Sequence, residues 1–261
     1  MHVVVCIKQV PDTSDVKINP ETNTLIREGV QSIINPFDEN ALEIALVLKD
    51  TQGAKVTVIT MGPPQAESAL RECLARGADE VVLVSDRAFA GSDTLATSYT
   101  LARAIETLDK PDLILFGKQA IDGDTAQVGP GVAELLDMPV ITYIRRVEVA
   151  EGKLKVERVF EDGYEKMEVP LPAVLTILKE ANVPRMASLK GRMKAKKAEI
   201  AMLSAAAIQA DPERVGLKGS PTKVVRIFTP PKKTGGIRID GTHPLEAART
   251  LVEKLREQKV I

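Results

Sequence analysis

The sequence predicts an α/β fold: an open, mostly parallel, doubly wound sheet with an antiparallel extension and a C-terminal arm. Three observations predict it. Apolar runs alternate with amphipathic stretches through the first 145 or so residues. The runs are continuous in Val, Ile and Leu, as strands covered on both faces require. Each run then empties into a loop rich in Gly, Pro, Asp, Ser or Thr.

Taken in order, the strands are expected at residues 3–7, 55–60, 81–84, 113–116 and 140–144. Helical periodicity covers 39–48, 65–75, 95–108 and 132–136 with an N-terminal lead, and Gly77 stands where a C-cap belongs. Between the first strand and the first helix, 16–34 reads as an inserted hairpin about a turn at 20–23. Beyond Arg146 the pattern becomes antiparallel: 153–160 and 164–169 alternate about Glu161-Asp162-Gly163, and the apolar strand 173–178 follows with no helix between. A linker is expected at 230–236 and an amphipathic helix at 244–257. The chain divides into a domain at 1–200 and an arm at 201–261.

Composition excludes several classes. The 261 residues are 44% hydrophobic, enough for a sizeable core, and 35 basic against 36 acidic side chains leave a net charge of -1. Neither nucleic acid nor a membrane surface is suggested. No apolar run approaches the roughly 20 residues of a membrane span, and 3–7 is too short for a signal peptide, so a cytoplasmic location is expected. Cys6 and Cys73 are the only cysteines, and His2 and His243 the only histidines. No disulfide framework, metal cluster or histidine-based triad is written here, so no catalytic side chain and no metal site are expected. Redox activity would come from a bound cofactor.

The segment from Gly117 to Pro130, Gly-Lys-Gln-Ala-Ile-Asp-Gly-Asp-Thr-Ala-Gln-Val-Gly-Pro, joins the fourth strand to a helix. Such a junction lies at the carboxyl edge of the sheet, where loop amides and a helix N-terminus converge on an anion. Asp122 and Asp124 would repel a phosphate and should point away from it. The D-x-x-Q spacing of Asp124 and Gln127 suggests a capping box, with Thr125 and Gln127 toward the ligand. A helix beginning at Pro130 is the other option, and a plain capped βα loop is the competing account of the whole segment. Similar groups follow the other strands: Lys8, Gln9, Pro11, Asp12 and Thr13; Met61, Gly62 and Pro63; Phe89, Gly91, Ser92, Asp93 and Thr94. Four such loops on one rim describe a crevice of dinucleotide size.

Residues 185–197 carry Arg185, Lys190, Arg192, Lys194, Lys196 and Lys197 and no acid. No aromatic is interleaved for base stacking, so nucleic acid is disfavoured. A solvated face remains open beside a docking loop in which Leu189 enters a partner's pocket.

Five separated motifs carry a family resemblance: Lys8; Asn35-Pro36-Phe37; Gly117-Lys118-Gln119-Ala120-Ile121-Asp122 with Gln127; Val-Glu-Arg-Val-Phe-Glu-Asp-Gly-Tyr-Glu at 156–165; and 184–197. Over essentially its full length the chain resembles the beta subunit of electron transfer flavoprotein. The resemblance implies a sheet of the adenine-nucleotide-binding type, an alpha subunit that holds one FAD, and a nucleotide in the beta subunit. Carried over by position, that nucleotide site is Cys6, Asn35, Pro36, Phe37, Asp38, Met61, Gly117, Lys118, Gln119, Ala120, Ile121, Asp122, Gly123, Asp124, Thr125, Ala126, Gln127 and Val128.

Ordinary members hold structural AMP there. Electron-bifurcating members hold a second FAD, take hydride from NADH, and send one electron to the alpha-subunit FAD and one to ferredoxin or flavodoxin. The chain is similar to the bifurcating branch at 8–13, 89–97 and 122–127, where Gly123 and Ala126 are small. That likeness adds Lys8, Phe89, Gly91, Ser92, Asp93, Thr94 and Thr97 to the expected cofactor site, with the flavin ring around 87–97. The family resemblance further implies docking to an acyl-CoA dehydrogenase through Leu189 and Lys190, while the linker leaves the last helix to pack on the alpha subunit or on this chain.

Overall fold

A computed structural model describes residues 1–12, 32–150, 152–225 and 234–261. They form two units, Met1–Val225 and Arg226–Ile261. In the first, strands β1 (His2–Cys6), β4 (Lys55–Met61), β5 (Glu80–Val84), β6 (Leu113–Gly117), β7 (Val140–Ala150), β8 (Lys153–Phe160), β9 (Gly163–Pro170), β10 (Ala173–Ile177) and β11 (Ala201–Leu203) make one nine-stranded sheet. Its order is β11-β5-β4-β1-β6-β10-β7-β8-β9. Pairing is parallel from β11 to β7 and antiparallel from β7 to β9. The short strands β2 (Gln9–Pro11) and β3 (Ser32–Ile34) form a separate antiparallel pair. Of the hairpin expected at 16–34, residues 32–34 form β3 and the rest, with its turn at 20–23, lies outside the described residues.

Helices α1 (Pro36–Gln52) and α2 (Glu67–Arg76) cover one face of the sheet, and α3 (Thr94–Ile105) and α4 (Val128–Leu135) the other. Residues of β1 alternate between the two cores: Val3 and Val5 pack with Leu42 and Leu46 of α1, while Val4 and Cys6 pack with Leu101 and Ile105 of α3. Both faces of the strand are buried, which is why its sequence is uniformly apolar. Helix α5 (Leu189–Lys197) lies against α2, where Gly191 comes so close to Ala75 that a Cβ would sit 2.0 Å from its carbonyl oxygen. In the second unit, α6 (Pro244–Glu257) has the expected bounds. The linker expected at 230–236 lies outside the described residues as far as residue 233. Among the described residues no helix is long and apolar enough to cross a membrane.

Two expectations are corrected. The strand at 173–178 does not extend the antiparallel ribbon: β10 inserts between β6 and β7, parallel to both, and all five of its residues are buried. The ribbon comes from β7, whose first half pairs with β10 and whose second half pairs with β8. The first unit also passes residue 200, because Ala201–Leu203 pairs with β5 and residues 204–222 pack over the start of α3.

Candidate functional site

From β1 the chain winds through β4 and β5 on one side, then returns to β6 on the other. The strand order reverses beside β1, and a crevice opens at the carboxyl ends of the strands at such a point. A cleft of about 300 Å³ lies there. Its walls combine Cys6 at the end of β1 and Lys8 beyond it, Asp38 of α1, Met61 of β4, Asp93, Thr94 and Thr97 at the start of α3, and the loop after β6. From that loop come Gly117, Lys118, Gln119, Ala120, Gly123, Thr125, Ala126, Gln127 and Val128. Ile7, Leu101, Phe116 and Gly129 also line it and were not anticipated. Only Leu101 had a sequence signal: it shares a helix face with Thr94 and Thr97 at helical spacing.

The start of α1 supports this edge from behind. Asp38 is buried, and its carboxylate accepts the Lys8 amide at 2.7 Å and the Gly117 amide at 3.0 Å, tying the ends of β1 and β6 together. Position 117 has room only for glycine, since a Cβ would stand 2.3 Å from Asp38 Oδ1. Burial pushes the Asp38 carboxyl up to about 7, against the lowering pull of Asn35 and the two amides. Burial also raises the Cys6 thiol well above its ordinary value, with the Asp38 charge adding to it, so Cys6 is an inert wall residue. Asn35, fully buried, donates to the Gln119 carbonyl at 2.8 Å and accepts the Ile121 amide at 3.1 Å. Asn35, Pro36 and Phe37 therefore shape the loop without lining the cleft. The Phe37 ring lies 5.0 Å from Lys179 Nζ and 5.9 Å from Lys118 Nζ.

The loop resolves the problem of its two acids. Lys8 Nζ lies 2.7 Å from both Asp122 oxygens, and Asp124 accepts from the Gln119 side chain at 2.6 Å. Neither they nor Ile121 line the cleft. The capping box is corrected: α4 starts at Val128, Gln127 occupies the cap position without a side-chain cap, and Asp124 adopts φ 49° outside the helix. Pro130 falls in the first turn, where its missing N–H would have had no intrahelical acceptor. Asp124 and Ala126, at φ 49° and 53°, are both left-handed, an uncommon conformation for these residue types, and the Asp124 amide is taken by the Ala120 carbonyl at 2.8 Å. The first turn of α4, with Val128 and Gly129 on the cleft wall, brings helix N-terminal amides suited to an anion to this end of the cleft.

The expected flavin segment divides. Asp93, Thr94 and Thr97 line the cleft, and Thr94 Oγ1 donates to Gln127 Oε1 at 2.9 Å, joining the starts of α3 and α4. Phe89 instead is buried with Val84, Tyr99, Ile208 and Val215. Gly91 is backed by Leu217, and Ser92 accepts the Gly216 amide at 3.1 Å. Phe89, Gly91 and Ser92 thus sit outside the cleft. At the basic segment, 189–197 is a helix rather than a loop, and Arg185 pairs with Glu43 and Asp50 instead of facing solvent alone. Leu189, at the first turn of α5, is 79% exposed beside Lys190, and Met186 is also exposed.

The model of the electron transfer flavoprotein domain matches residues 22–208. The chain belongs to the electron transfer flavoprotein family. It is 56% identical to electron transfer flavoprotein subunit beta of Clostridium acetobutylicum and 55% identical to caffeyl-CoA reductase-Etf complex subunit CarD of Acetobacterium woodii, with the whole of each chain covered. It is also 48% identical to protein FixA of Azotobacter vinelandii, over 99% of this chain and 95% of that one. The chain is thus a beta subunit of an electron transfer flavoprotein, as the five motifs implied.

Proposed function

We propose that this beta subunit binds FAD in the cleft beside β1 and works in a bifurcating heterodimer with an alpha subunit. The observation that carries this is that the loop after β6 and the first turn of α4 share one cleft with Thr94 and Thr97 of α3, with the small residues Gly123 and Ala126 on the loop. Amides from Thr125 to Gly129 would hold a diphosphate, and Cys6, Asp38, Met61 and Gly117 would enclose the adenylate half. About 300 Å³ is at the low end for a ligand pocket, so the remainder of FAD would extend past Asp93 and Thr94 beyond the enclosed part. When bound, the flavin supplies the redox chemistry: hydride taken from NADH, with one electron passed to the alpha-subunit FAD and one to ferredoxin or flavodoxin.

This chain's own residues bind, orient and neutralise. Lys8 cancels the Asp122 charge at the mouth, and Asp38 fixes the two strand ends. Leu189 with Lys190 is the anchor for an acyl-CoA dehydrogenase, and the relative from Acetobacterium woodii, named for a caffeyl-CoA reductase complex, supports a partner acting on CoA thioesters. Unit 226–261 packs on the alpha subunit. A cytoplasmic location suits these partners.

Anaerobic titration of the purified heterodimer with NADH tests the proposal. Flavin absorbance should bleach without any added dehydrogenase. No reduction by NADH, together with AMP recovered from the beta subunit, rejects bifurcation and leaves a structural-nucleotide subunit.

A further inference from the structure

Residues 204–222 contribute no side chain to the cleft, yet they grip one of its walls. Asp93 caps α3 with one oxygen, which accepts the Leu95 amide at 3.0 Å and the Ala96 amide at 3.1 Å. Its other oxygen accepts the Thr222 amide at 3.0 Å and the Thr222 hydroxyl at 2.8 Å. The Asp93 amide itself donates to Ser220 Oγ at 2.8 Å, and Ser220 Oγ donates to the Gly216 carbonyl at 2.6 Å. Beside it, Leu217 presses on Gly91 so closely that a Cβ there would lie 2.6 Å from its Cδ2, and the Tyr99 hydroxyl of α3 accepts the Asp211 amide at 3.0 Å. Burial opposes ionisation of Asp93, but bonds from Ala96 and Thr222 outweigh it and hold the carboxyl below its usual range. The next residue, Thr94, reaches across to Gln127.

We propose that Thr222 and Ser220 are positioning residues for the cofactor: through Asp93 they fix the Thr94 to Thr97 wall and its bond to Gln127. The inference rests on the cleft being the nucleotide site. Hydrogen bonds run from Thr222 to Asp93, and from Thr94, next in the chain, to Gln127 at the start of α4. Asp93 has four donors on its carboxylate, two from its own helix and two from Thr222. Loss of the Thr222 hydroxyl leaves the α3 cap intact and loosens only the outer hold. The cleft wall should then sample positions in which the Thr94 to Gln127 bond is broken, and the nucleotide should leave faster.

The test uses the full heterodimer with Thr222→Val and Thr222→Ser. Hydrogen exchange at amides 92–97 should quicken in the valine variant and match wild type in the serine variant, which keeps the hydroxyl. Nucleotide released from denatured complex, identified as FAD or AMP by chromatography, should be depleted in the valine variant after dialysis, with loss about five-fold faster than wild type. Serine should restore retention. A valine variant that keeps its nucleotide as wild type does overturns the inference alone. A wild-type complex with neither FAD nor AMP on the beta subunit overturns the site assignment and the inference with it.

Discussion

Replacing Asp38 with Asn should change stability in a pH-dependent way. In the folded chain the carboxyl titrates near 7 in place of 3.8, chiefly because it is buried. That difference corresponds to about 4 kcal/mol between its neutral and ionised forms. Below the unfolded value both states hold the proton and the contribution is fully present. As pH rises from 3.8 toward 7 the unfolded chain releases a proton that the folded chain retains, so stability falls, and above 7 the contribution is gone. Asparagine cannot ionise, so Asp38→Asn escapes this loss. It also has one acceptor where two amides, Lys8 and Gly117, are aimed, and one donor left unsatisfied costs about 1 to 3 kcal/mol. The variant should therefore be less stable than wild type near pH 4 and equal or more stable near pH 8. Over that range the gap in Tm should change by roughly 10 °C, read by thermal unfolding of the heterodimer. A gap that stays constant with pH would refute the assignment of a buried, raised carboxyl to Asp38.

Lys8→Met should alter stability by less than about 1 kcal/mol, because the Lys8–Asp122 pair is partly exposed, but should leave Asp122 uncompensated at the cleft mouth. Nucleotide content after gel filtration should fall, and fall further at low salt, where the like charge is least screened. Gly191→Ala puts a Cβ against the Ala75 carbonyl and should cost about 1 to 3 kcal/mol as α5 is pushed from α2, seen as a lower Tm. Leu189→Ala removes an exposed side chain, so Tm and flavin content should hold, while affinity for the acyl-CoA dehydrogenase by calorimetry should weaken by about 2 kcal/mol or more.

Much of the fold was legible because its cause is local. The interior strands β1, β4, β5 and β6 must be apolar on both faces, and α6 carries a clean helical period, so composition and spacing located them. The position of β10 was not legible: a buried strand says that it is central, but not between which neighbours, and β6 and β10 are separated in sequence by α4 and β7 through β9. β11 has only three residues, too few for a period to register. At the site, the glycine loop and the residues after β1 were readable as ligand-capable types. The capping box failed because Asp124 takes a left-handed turn and bonds Gln119, a competition that spacing does not reveal. Phe89 went to the core because residues 204–222, distant in sequence, fold over its loop.

The flavin count of the purified heterodimer tests the central claim most directly. A cleft that holds the diphosphate of FAD should yield two FAD per heterodimer, one from each subunit. One FAD accompanied by one AMP would contradict it.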